Sequence, residues 1–187
     1  MPTAALARQG VSSAQNTLET ARLRLRPLSP ADLDRLTEIW TDPEVARLLL
    51  TRPRSRAEVE EKLAAMIEHA SLLGMWALEL RATGSLIGRC GFYPYAGDAG
   101  PVEPELAYLL AREHWGAGLA SEAARASLGA LSQHHRAARA VALVRPEHTA
   151  SRRVLEKVGM REERSVVVND VEVALYAIAV WPPAAGS

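Results

Sequence analysis

Apolar residues change period several times along the chain, and each change marks an element. Leu23, Leu25 and Leu28 alternate with Arg22, Arg24 and Arg26, the period of a half-buried strand. Ser29-Pro30 then starts a helix, a serine cap followed by a proline suited to the first turn, with Leu33, Leu36, Ile39 and Trp40 at helical spacing. Asp42-Pro43 breaks that pattern, and a short helix through Val45 and Leu49 follows. Ser55 and Glu58 form a capping box that opens a helix to about residue 73, with Val59, Leu63, Met66 and Ile67 on one face. Strand patterns cover 75–81 and 85–93 around the Thr83-Gly84 turn, then 105–110 after a glycine- and proline-bearing loop at 96–104. A helix is expected over 119–134, with Ala120, Ala123, Ala124, Ser127, Leu128 and Leu131 inward. The fully apolar run 140–144 reads as a central strand, 149–158 as a helix, and 163–168 and 171–180 as a hairpin turning at Asn169-Asp170. This order predicts a mixed α/β fold around one sheet.

Length and charge narrow the class. The 187 residues correspond to one domain over 18–181, with short tails at 1–17 and 182–187, the first expected to be disordered. Apolar residues make up 48% and charged residues 24%, so a sizeable core can form without staples. Twenty-two basic residues balance 22 acidic ones, which argues against a general nucleic-acid binder, since phosphate neutralisation needs a basic surplus. The single cysteine, Cys90, excludes an internal disulfide and a cysteine-ligated metal cluster. No apolar run reaches the ~18 residues of a membrane span, and residues 1–17 lack the apolar core of a signal peptide. A cytoplasmic protein with no membrane partner is expected.

Two segments carry candidate chemistry. Trp115-Gly116-Ala117-Gly118-Leu119-Ala120 follows a strand and opens a helix. Glycines there let the backbone approach a ligand closely, and the unpaired N–H groups of the first turn favour an anion such as a pyrophosphate. A tight turn packed on the sheet is the other reading. No Gly-Lys-Ser/Thr follows, so this is not a phosphate loop of the Walker type, and the third glycine of a dinucleotide fingerprint is missing. About thirty residues on, Val144 to Ser151 leads from a strand into a helix that ends Leu155-Glu156-Lys157-Val158-Gly159-Met160. Glu105, on the strand before the turn, could accept a proton from an attacking amine; a solvated strand end beside Glu103 is the alternative. No histidine pair has metal-ligand spacing with carboxylates, so no metal is expected.

Together the two segments resemble the GNAT superfamily of acyl-CoA-dependent N-acyltransferases, and more closely its ribosomal-protein N-terminal acetyltransferase branch. The pattern Trp-Gly-x-Gly-x-Ala-x-Glu-Ala is matched from Trp115 to Ala123, and Ser-x-Arg-Val-Leu-Glu-Lys-x-Gly from Ser151 to Gly159. The opening Leu23-Arg24-Leu25-Arg26-Pro27-Leu28 fits as well. His148 stands where the family usually has asparagine, Met160 where it has phenylalanine, and Leu155 where the wider superfamily often has a tyrosine acid.

The resemblance implies a single-domain fold with a mixed, mostly antiparallel sheet of about seven strands, splayed in the middle and flanked by helices. It implies acetyl-CoA as cosubstrate. Its pantetheine arm would lie in the splay against free backbone of Leu109, Leu110 and Ala111. Its pyrophosphate would sit on Trp115, Gly116, Ala117, Gly118, Leu119, Ala120 and Ser121, with His148 and Ser151 at the facing helix. Glu105 would be the base, Ser151 the group that aids thiolate departure, and an N–H near Leu110 the oxyanion donor. The acceptor would be a primary amine, either a peptide or protein N-terminus or a small molecule, and the enzyme a monomer or homodimer. A non-catalytic acyl-CoA-binding sensor is the rival reading, with a phosphate-loop-like nucleotide binder behind it.

Overall fold

The computed structural model describes residues 17–51, 55–97, 101–134 and 137–180. The tails expected at 1–17 and 182–187 lie outside these, Thr17 excepted, as does the centre of the 96–104 loop. Eight strands form one sheet: β1 Leu18–Glu19, β2 Leu23–Pro27, β3 Met75–Leu80, β4 Leu86–Tyr95, β5 Glu103–Leu110, β6 Arg139–Val144, β7 Arg161–Val168 and β8 Val171–Ala179. Their order is β1-β2-β3-β4-β5-β6-β8-β7, antiparallel except at β5–β6. The helices are α1 Leu33–Thr41, α2 Pro43–Ala46, α3 Arg56–Leu73, α4 Leu119–His134 and α5 Thr149–Lys157. Among the described residues no helix is long and apolar enough to cross a membrane.

The strand absent from the sequence reading is β1, whose two residues are too short to carry a period. The loop expected at 96–104 is also shorter. Glu103 and Pro104 already pair with Tyr95 and Pro94, so cross-strand pairing extends past the residues whose own pattern is strand-like. The hairpin turn falls where expected: Asn169 and Asp170 both have left-handed φ, 51° and 60°, as a two-residue turn between twisted strands requires.

The sheet is covered on both faces. One face packs Leu36, Ile39 and Trp40 of α1 and Val59, Leu63 and Met66 of α3 on Met75, Ala77 and Leu109. The other packs Ala123, Ala124 and Leu131 of α4 and Leu155 of α5 on Leu25, Leu78, Leu106, Ala142 and Tyr176. The parallel junction between β5 and β6 is held at one register pair, Glu105 opposite Val141. Beyond it no register pair joins the two strands, and the starts of α4 and α5, which follow β5 and β6, flank the opening.

Candidate active site

A cleft of about 1050 Å³ runs through the opening between β5 and β6. Its lining includes Gly116, Gly118, Leu119, Ala120 and Ser121 of the glycine turn and α4, Glu105 and Tyr108 of β5, Ser151 of α5, and Trp40, Arg89 and Tyr93.

The glycine turn has open, unpaired backbone N–H groups, the geometry an anion cradle needs. Gly116 and Gly118 have φ of 74° and 79°, which L side chains adopt only at a cost. A Cβ at Gly116 would meet nothing within 4 Å and one at Gly118 only Arg22 Nη2 at 3.6 Å, so the turn faces open space. Tight packing, the alternative reading of these glycines, is therefore not what they serve. The first α4 amide with a backbone acceptor is Glu122, which donates to Gly118 O at 3.1 Å. Among the described residues the N–H groups of 116–121 have no such partner outside the helix, which leaves them to an anion at the positive end of α4. Glu122 braces the cradle from behind. Its Oε1 accepts from Thr20 Oγ1 (2.6 Å) and Arg22 N (2.8 Å), its Oε2 from Arg22 Nε (2.7 Å), and Arg22 Nη1 donates to Ala117 O (2.8 Å). Burial pushes the Glu122 carboxyl up, but these donors outweigh it and hold it below its ordinary range.

The strand edge differs in detail from expectation. Ala111 N–H donates to Ile87 O at 2.8 Å, so the free backbone expected there is already taken by β4. By antiparallel alternation Leu109 turns its backbone groups to β4 as well, while Tyr108 and Leu110 turn theirs toward the gap. The Leu110 carbonyl accepts from Trp115 Nε1 at 2.9 Å, which pins the loop entering the cradle and leaves the Leu110 N–H as the strand donor facing the cleft.

The two candidate proton-transfer groups approach from opposite faces. Glu105 lies opposite Tyr93 in the β4–β5 ladder and so shares the α1/α3 face with Tyr93, Leu109 and Arg89. Burial pushes its carboxyl up to about 7, partly offset by the positive charge of Arg89. Ser151, in the first turn of α5, faces the other side, where its Oγ lies 2.7 Å from the Tyr108 hydroxyl. Tyr108 Oη also donates to Ser151 O at 3.1 Å, and burial pushes its phenol well above its ordinary range, so it stays protonated. His148 is the N-cap residue of α5 and lines the cleft without a side-chain cap bond. Burial, then the charge of Arg47, lowers its pKa and keeps it neutral.

Sequence reasoning missed Tyr108 and Arg89. Tyr108 is two residues from both Leu106 and Leu110, which puts it on their face of the strand but does not give its partner on a helix 43 residues away. Arg89 is a single charge inside the apolar run from Leu86 to Phe92, and that anomaly was the available signal. Leu155, at the position of the superfamily's tyrosine, is buried in the core and adds an apolar side chain without a proton to the cleft lining.

The acetyltransferase (GNAT) domain family matches residues 22–161. The uncharacterized N-acetyltransferase p20 of Bacillus licheniformis is 33% identical over 150 residues, spanning 79% of this chain and 83% of that protein. A solved GnaT-family acetyltransferase from Bordetella pertussis superposes with a TM-score of 0.75 at 27% identity, over 88% of this chain and 99% of that one. At 16% identity, and so for the fold alone, the ribosomal L7/L12 α-N-protein acetyltransferase solved with coenzyme A gives 0.71 over 88% and 98%. An α4 cradle, a sheet splayed at β5–β6 and a family match across both motifs lead to one conclusion: the chain belongs to the GNAT acetyltransferase family and is an acetyltransferase.

Proposed function

We propose that the enzyme transfers an acetyl group from acetyl-CoA directly to a primary amine, with an N-terminal α-amine of a peptide or protein as the leading acceptor and a small-molecule amine next. The observation that carries this reading is the placement of Glu105 and the Ser151–Tyr108 pair around one cleft whose far end is the open amide cradle. Glu105 takes the ammonium proton, directly or through water. The neutral nitrogen bonds to the thioester carbon, whose oxygen draws on the Leu110 N–H; the C–S bond then breaks and the nitrogen's surplus proton passes to the departing sulfur, leaving the amide and the CoA thiol. Ser151 hydrogen-bonds to the departing sulfur, and the Tyr108 hydroxyl, 2.7 Å from Ser151 Oγ, holds that side chain in place. An α-amine suits a single modest base: its reference pKa is near 8 against about 10.4 for lysine, so it is neutral far more often at pH 7. A cytoplasmic location goes with this reading.

The acceptor is tested by competition between peptides with free and blocked N-termini, each with and without lysine. Transfer to free N-termini regardless of lysine is expected. Transfer only to lysine side chains, or only to non-peptide amines, rejects the leading acceptor.

The Ser151–Tyr108 pair has its own test. Ser151→Ala and Tyr108→Phe are each expected to lower kcat by about tenfold, the scale of one lost hydrogen bond in a transition state, while CoA affinity holds. Because Tyr108 acts through Ser151, the double variant should be no slower than the slower single one. Additive losses would show that the two hydroxyls act separately.

A further inference from the structure

Arg89 is an unusual residue to find inside a β-sheet protein. It is 7% exposed, its Nε has no hydrogen-bond partner, and its one acceptor among the described residues is the weak Met75 Sδ at 3.6 Å. Its guanidinium lies 5.1 Å from the centre of the Trp40 ring and 5.2 Å from that of Tyr93. Aromatic faces stabilise a desolvated cation but leave its N–H donors unused. A buried charge is normally paired, because leaving water unpaired is costly. Three other cations of the cleft have oxygen partners: Arg47 pairs with Glu44 at 3.0 Å, Lys62 donates to Thr51 Oγ1 at 3.4 Å, and Arg145 donates to Leu49 O at 3.5 Å. Arg89 therefore presents an unfilled, preorganised anion site.

Its place relative to Glu105 gives the site a meaning. Both lie on the same face, and Tyr93, against which the guanidinium packs, is the direct cross-strand neighbour of Glu105. Glu105 feels the Arg89 charge but is not among the hydrogen-bond acceptors of that guanidinium, so the N–H donors stay open. The planar fork of an arginine matches a carboxylate with two parallel hydrogen bonds. We propose that the acceptor carries a carboxylate a few bonds from its amine, received by Arg89 while the amine sits at Glu105. This rests on the amine-acetyltransfer reading and narrows it to acceptors of amino-acid character: a free amino acid, or a peptide whose first residue is acidic. Trp40 and Tyr93 then serve to hold the guanidinium flat and dry until the carboxylate arrives.

The test uses matched acceptors with acetyl-CoA, read by released thiol. One arm compares L-methionine with L-methioninamide. The other compares the amidated tripeptides Glu-Ala-Ala and Gln-Ala-Ala. Wild-type enzyme is expected to favour the carboxylate member of at least one pair by about tenfold or more in kcat/KM. Arg89→Met should bring that ratio to near one, chiefly through KM, and Arg89→Lys should restore part of it. The arm that shows the ratio identifies the source of the carboxylate. Equal use of both members by the wild type, or an Arg89→Met variant that keeps the ratio, overturns the proposal.

A binding measurement separates this from the activity itself. In the presence of CoA, N-acetyl-L-methionine should raise the melting temperature of the wild type more than N-acetyl-L-methioninamide does, and the peptide products should behave likewise in their arm. Arg89→Met should abolish the difference. If no amine in the panel is acetylated while CoA still binds, the transfer reading falls and these shifts alone decide Arg89; equal shifts with acid and amide overturn it.

Discussion

Gly118→Glu is expected to lose CoA binding by about a hundredfold or more while remaining folded. The affinity loss has two sources. A side chain leaving Gly118 meets only Arg22 Nη2 at 3.6 Å, so a glutamate fits beside the unpaired N–H donors of 116–121, where its carboxylate draws on the cations and donors of the cradle and repels a pyrophosphate. Losing two charge-assisted hydrogen bonds at about 1.5–3 kcal/mol each already amounts to more than a hundredfold. The folding cost is smaller. Gly118 has φ of 79°, and a non-glycine residue there costs about 1–2 kcal/mol, which for a chain of this size lowers the melting temperature by roughly 2–8 °C. Calorimetric titration with CoA, beside a thermal melt, separates the two effects. Unchanged CoA affinity would remove the cradle from the site.

The ease with which this site was read from sequence follows from what kind of signal each part sends. The cradle is local: two glycines, a preceding strand and a following helix fall within a dozen residues, and backbone conformation is what they encode. The long helix at Leu119–His134 was legible for the same reason, since its apolar stripe repeats over four turns. What escaped was non-local. Ala111 looked free because the sequence does not say that Ile87 lies opposite it. Tyr108 has its partner Ser151 on another helix, which no local period encodes. Glu122 lies in the first turn of α4, where a carboxylate suits the helix dipole. Its three bonded donors, however, come from the chain around β1 and β2, a hundred residues earlier. Side chains whose role depends on register are visible only once the register is known.

Glu105→Gln is expected to lower kcat/KM by roughly a hundredfold or more below about pH 8, the usual scale for losing a general base. The pH profile gives the assignment its signature. With its carboxyl pushed up to about 7, Glu105 is protonated and inactive in the acid range, so wild-type activity should rise as pH passes through about 7. The variant has no such group, and its residual rate should climb only as the amine itself deprotonates, near pH 8 for an α-amine. Stability moves the other way. The folded state holds the Glu105 proton up to about 7, while an unstrained glutamate releases it near 4.5, so the folded form binds more protons across that window. The stabilisation that goes with this is fully present below about 4.5 and is lost as pH rises through about 7. Glutamine carries no charge to bury. Glu105→Gln should therefore match the wild type at the acid end and melt at a higher temperature above pH 7, at the pH where its activity deficit is measured. A variant that is slower but less stable there would trace the loss to misfolding, and a wild-type rate without an inflection near 7 would assign the base elsewhere. Slower catalysis together with greater stability is what a carboxylate buried for proton transfer predicts.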